Sequence, residues 1–165
     1  GTQSLNDNST KAASTAYVDG RDKRAYLSSN FTTTSGSFTD VTGIAIAMAA
    51  NETWSFQIFG QLTCSTANGL NLAIDVPTSA TLYSQAFATG GGTTAFRTGT
   101  SNADDTSAFS SAVITTSSVT GELIYYGTVF NGANAGNIQL RIKMNTAGDT
   151  GTVLKGCVII AQRLA

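Results

Sequence analysis

Trp54-Ser55-Phe56-Gln57-Ile58-Phe59-Gly60-Gln61-Leu62-Thr63-Cys64 decides the fold class. Trp54, Phe56, Ile58, Leu62 and Cys64 alternate with Ser55, Gln57, Gln61 and Thr63. A period of two puts apolar side chains on one face of a strand and polar ones on the other. The pattern recurs at 70–76, where Leu70, Leu72, Ile74 and Val76 alternate with Asn71, Ala73 and Asp75. It recurs again at 138–144, where Ile138, Leu140, Ile142 and Met144 alternate with Gln139, Arg141 and Lys143. Asn68-Gly69, Asn131-Gly132 and the glycines at 148 and 151 supply the turns between such strands. Short strands at roughly 8–12-residue spacing predict an all-β antiparallel sandwich or barrel.

Two segments break the alternation. At 123–130, Ile124, Tyr126 and Phe130 are apolar on one face, and Leu123, Tyr125 and Val129 on the other. At 156–164, Cys157 and Ile159 oppose Val158 and Ile160. A strand apolar on both faces is covered on both. In a sandwich the core covers one, and a subunit interface is the simplest cover for the other. Tyr125 and Ile159 are the candidate interface positions on these strands.

Residues 1–24 read differently from residues 25–165. Asn8 or Ser9 is placed to cap a short helix starting near Thr10. Ala13, Ala16, Tyr17 and Gly20 then share one face, and Asp19 and Lys23 form an i, i+4 pair. So short a helix is marginal alone. It suits a neck of closely packed helices, with Tyr17 as a further interface candidate; a frayed arm is the alternative. The 89–107 stretch, with Gly90-Gly91-Gly92, is expected to form an exposed hairpin or long loop. No internal repeat is visible, which disfavours a β-helix or fibre shaft.

Composition narrows the partners. The chain has 165 residues, enough for one domain with a core. Only 12% are charged and the net charge is −1, against about 25% charged in ordinary domains. No basic field exists to attract nucleic acid. No apolar run approaches the ~20 residues of a membrane helix, so membrane insertion is not expected. Residues 1–11 are too polar for a signal peptide. A surface of Thr, Ser, Asn, Gln and Gly suits close protein packing, or sugar recognition through neutral hydrogen bonds.

The sequence offers little chemistry. It contains no histidine, which removes Ser-His-Asp and Cys-His catalysis and most zinc and iron sites. No nucleophile elbow, Walker loop or Cys-x-x-Cys is present. Asp40, Glu52, Asp75, Asp104, Asp105, Glu122 and Asp149 are the acids from which a glycosidase pair would be drawn. Most sit beside Gly, Ser, Thr or Asn, where Asp shapes turns. Asp104-Asp105 lacks the spaced ligands of a calcium loop. No catalytic residue, metal or cofactor is therefore expected. Cys64 and Cys157 are expected to be free and buried, a single bridge being the alternative. Asn8, Asn30 and Asn51 begin sequons, as chance provides in a chain rich in Asn and Thr. Trp54 is expected in the core rather than as a sugar-stacking platform. Phe96 and Arg97, with Asn102, Asp104 and Asp105, are the candidate receptor contacts, as an aromatic beside an arginine in a Gly/Thr-rich stretch makes a contact patch; a Phe tucked under its own loop is the alternative.

Two likenesses complete the reading. Asp7-Asn8-Ser9-Thr10-Lys11 followed by Ser14-Thr15-Ala16-Tyr17-Val18-Asp19 resembles a motif of tailed-phage tail-fibre and appendage proteins. The remainder resembles the C-terminal jelly-roll domains of phage fibres and spikes, akin to C1q/TNF-like trimers. Ser37-Phe38-Thr39-Asp40-Val41-Thr42-Gly43, Ala49-Ala50-Asn51-Glu52-Thr53-Trp54, Ile138-Gln139-Leu140-Arg141 and Leu154-Lys155-Gly156-Cys157 carry it. The resemblance implies a jelly-roll homotrimer on a virion, bound to other virion proteins and attaching outside the cell to a host-surface glycan or protein. A decorating fibre on capsid or neck with no receptor role, and a secreted carbohydrate-binding or C1q-like module, are the alternatives.

Overall fold

A computed structural model describes residues 20–90, 93–101 and 120–165. Among these residues the chain is all-β, with eleven strands. They are β1 (Asp22–Tyr26), β2 (Phe31–Thr33), β3 (Thr39–Met48), β4 (Thr53–Cys64), β5 (Leu70–Asp75), β6 (Thr81–Gly90), β7 (Thr93–Ser101), β8 (Gly121–Phe130), β9 (Gly136–Met144), β10 (Gly151–Val153) and β11 (Val158–Arg163). Every pairing among them is antiparallel. A large sheet runs β1-β11-β4-β8-β6-β7, with β10 pairing β2 and β4 beside it; a three-stranded sheet runs β3-β9-β5.

The stretch that opens the sequence argument is the spine of the large sheet. β4 pairs along its length with β8, and on its other edge with β11 and then β10. Trp54, Phe56, Ile58, Leu62 and Cys64 are buried as the alternation requires. They meet Leu82 and Ala86 of β6, Leu123 and Val129 of β8, and Ile159 and Ala161 of β11. The small sheet closes the same core with Ile44, Ile46 and Met48, Leu70, Leu72 and Ile74, and Ile138, Leu140 and Ile142. Each such aliphatic side chain withdrawn from water contributes about 1.5–3 kcal/mol before chain entropy is counted. Cys64 and Cys157 are both buried and free.

The expected neck helix falls mostly on residues outside those described. Gly20 and Arg21 alone among the described residues are helical, and Asp22–Tyr26 is strand. Lys23 is therefore not half of a helical ion pair. Its ammonium donates to the Ala47 carbonyl at 2.7 Å and lies 4.9 Å from the centre of the Trp54 ring. The ladder to β11 offers this segment hydrogen bonds and packing, where so short a helix had only costly nucleation. Within the stretch expected as an exposed hairpin or long loop, β6 and β7 pair as a hairpin, with Phe87 opposite Phe96 in register.

Two glycines show how closely the strands approach. A Cβ on Gly127 would lie 2.5 Å from the Tyr83 carbonyl oxygen and 3.0 Å from the Phe56 ring. Gly43, at φ +101°, sits where β3 slips register against β9 between Asp40 and Ala45. The slip is a β-bulge that leaves carbonyls without ladder partners. The buried side-chain amide of Gln139 fills that role, donating to Val41 at 3.0 Å and Ile44 at 2.9 Å.

Candidate functional site: the outer face of the large sheet

The outward positions of the large sheet fall into rows across its strands. Register aligns Tyr26, Val158, Phe59, Ile124 and Phe87 from β1 through β11, β4 and β8 to β6, with Phe96 of β7 opposite Phe87. Tyr26 and Phe59 are exposed; Val158, Ile124 and Phe87 are half-buried. One step along, Arg24, Ile160, Gln57, Tyr126 and Gln85 form the second row. There the Tyr126 hydroxyl donates to the Gln85 side-chain oxygen, and Ile160 is 49% exposed. Beyond these, towards the start of β4, the rings of Tyr83 and Phe130 meet edge to face, 5.9 Å apart at 86°. Exposed apolar side chains thus gather on this face, interleaved with Arg24, Gln57 and Gln85, and such a gathering marks an interaction site.

This arrangement corrects the interface positions expected from sequence. Tyr125 is 2% exposed and lies in the core with Phe56, ring centres 6.2 Å apart. Burial pushes its hydroxyl up to about 12, against a lowering hydrogen bond with Ser84. Ile159 is 0% exposed, against the same core. The outward residues are their neighbours Tyr126 and Ile160. Two apolar faces give no phase, and a one-residue error exchanges them. The phase was available in β4: Gln57, on its polar face, pairs with Tyr126 on one side and Ile160 on the other. Tyr17, the third expected interface residue, lies outside the described residues.

Of the expected receptor contacts, Phe96 and Arg97 stand in strand β7, opposite Phe87 and Ala86, rather than in a loop. Asn102, Asp104 and Asp105 lie outside the described residues. Tyr83, Tyr126, Phe130 and Ile160 were the positions sequence reasoning missed as exposed sites. Of the carboxylates considered for a hydrolase pair, several have structural partners. Asp40 pairs with Arg141 at 2.8 Å. Asp149 accepts from the Thr66 hydroxyl at 2.7 Å and the Asn68 amide at 2.9 Å, which hold it below its usual range. Glu52 meets Arg163 at 2.6 Å, the Trp54 indole N–H at 2.9 Å and the Ala49 backbone N–H at 2.8 Å. Burial opposes the Glu52 charge, yet these three donors hold its carboxyl below the ordinary value. Among the described residues, no three Cys, Asp or Glu side chains gather as metal ligands do.

No protein-family model and no curated protein matches the chain. Among solved structures it is similar to the infectious bursal disease virus VP2 subviral particle. Identity is 13% over 88% of this chain and 37% of that one, with a TM-score of 0.22. A likeness this slight carries no argument about fold or function.

Proposed function

We propose that this chain is the distal structural domain of a phage virion appendage, assembling as a homotrimer through the outer face of its large sheet and attaching the particle to a host surface. The observation that carries the reading is the apolar row from Tyr26 to Phe87, joined by Ile160 and Tyr126. A monomer rarely leaves so much aromatic and aliphatic surface to water, and identical copies are its simplest cover. The order β1-β11-β4-β8 over β3-β9-β5 supports the jelly-roll reading. The departure is β6, which continues the large sheet instead of joining β5 in the small one.

In this reading the domain is non-catalytic. Other virion proteins and a host-surface glycan or protein are its partners, neither nucleic acid nor a membrane interior is engaged, and it acts outside the cell. The phage assignment itself leans on the 7–19 motif. Light scattering of the full chain at micromolar concentration tests the assembly: a trimer mass is expected, and a stable monomer overturns it.

A further inference from the structure

We propose that the corner formed by Tyr83 and Phe130, at the end of the large sheet where β4 and β6 start, is a binding site for a neutral sugar residue; the proposal rests on the attachment reading above. Tyr83 is 50% and Phe130 48% exposed, and their rings stand nearly perpendicular. Rings at right angles make a corner with an apolar floor and wall. A pyranose is apolar on its C–H face and hydroxylated around its rim, so the C–H face suits the π-faces and the rim needs neutral donors and acceptors. The surroundings supply them. Thr81 pairs with Phe130, Thr128 with Tyr83, and Ser55 with Thr128, while Gln85 and Gln57 lie one row away. In the register row of Tyr83 the nearest charge is Asp22, four strands distant, roughly 19 Å at the usual strand spacing; Glu52, next to Phe130's partner Thr53, is ion-paired with Arg163 at 2.6 Å.

The loops beside the corner are held in place by hydrogen bonds of their own. Asn134 donates to the Thr78 carbonyl at 3.0 Å, Asn131 donates to Ala49 at 2.7 Å and Asn134 at 2.8 Å, and the Asn51 N–H donates to Gly132 at 2.7 Å. A pre-ordered rim lowers the entropy lost on binding. Among the described residues, the non-glycine positions with positive φ are Asn51 at 61° and Ser79 at 69°, and both fall in these loops. Tyr83 stands four residues along β6 from Phe87 and two from Gln85, the partner of Tyr126, so the corner lies at the margin of the assembly face, and the oligomer mass of Tyr83→Ala decides whether a second copy covers it.

The test uses the full chain, isothermal titration, and a panel of neutral oligosaccharides built from glucose, galactose, mannose, rhamnose and N-acetylglucosamine, with sialylated and sulfated ones alongside. At least one neutral oligosaccharide is expected to bind. Tyr83→Ala and Phe130→Ala are each expected to weaken it about tenfold or more, while Lys155→Ala, at an exposed turn between β10 and β11, leaves affinity for the sugar unchanged. Binding of acidic sugars alone, no neutral binding at millimolar concentration, or full affinity in Tyr83→Ala would overturn the site. So would loss of oligomer mass in Tyr83→Ala, because the corner would then be covered by a second copy. A trimer that binds no sugar sinks this inference alone; a monomer that binds sugar sinks the assembly reading alone.

Discussion

Glu52 shows how one side chain can fasten several elements. It ties β11 through Arg163, the turn before β4 through Ala49, and the core through the Trp54 indole. Replacing it with alanine strands the buried indole N–H and the Arg163 head, at a cost of about 2–3 kcal/mol, to be read from urea melts. Its carboxyl is held below 4.5 in the folded chain. Its contribution is therefore complete above the unfolded value and is lost as pH falls through the folded one. The melting temperature should drop below pH ~4.5, less steeply in Glu52→Gln. Tyr125 and Cys157 act at the other end of the scale: burial lifts both to about 12 from 10.0 and 9.0. The unfolded chain ionises first, so stability falls as pH climbs past 9 and 10 towards 12. In the native state Cys157 should resist thiol reagents near pH 8, since its thiolate is absent there. Labelling faster than global unfolding would contradict its burial. At Gly127 even a methyl group meets the Tyr83 backbone, so Gly127→Ala should cost about 1–3 kcal/mol, read from the same melts.

At the scale of the strand, adjacent residues part company. Ile159→Lys buries an unpaired charge in the core and should abolish folding. Ile160→Lys puts the same charge on the outer face; circular dichroism should match the parent while the light-scattering mass falls. A trimer that survives Ile160→Lys would free this row from any role in assembly. These strands also mark where the sequence was legible. β4, β5 and β9 could be read because apolar and polar residues alternate without ambiguity. β8 and β11 could be recognised as doubly apolar, but their phase needed the register with β4, a relation between distant segments. β1 was hidden because Asp22-Lys23-Arg24 has the local character of a helix, and only the ladder to β11 makes it strand. The bulge at Gly43 was equally non-local: its signal is the Gln139 amide, nearly a hundred residues away in sequence. The candidate site was legible as a prediction that a second apolar face exists, and not as the residues that form it.

For the whole molecule, the apolar band couples stability to association. If copies cover it, the melting temperature should rise with protein concentration; a melt independent of concentration from micromolar upward would argue for a free face. The sheet order has a separate consequence, in time rather than in energy. β11 lies between β1 and β4, so the first described strand has no place in the sheet until the last arrives. At 5–20 residues per second, synthesis separates the two by on the order of ten seconds. Until then β1 and one edge of β4 present open hydrogen-bonding edges to every neighbouring chain. A nascent copy thus shows open strand edges to its neighbours until β11 is made, and close spacing of chains during synthesis favours mispairing there.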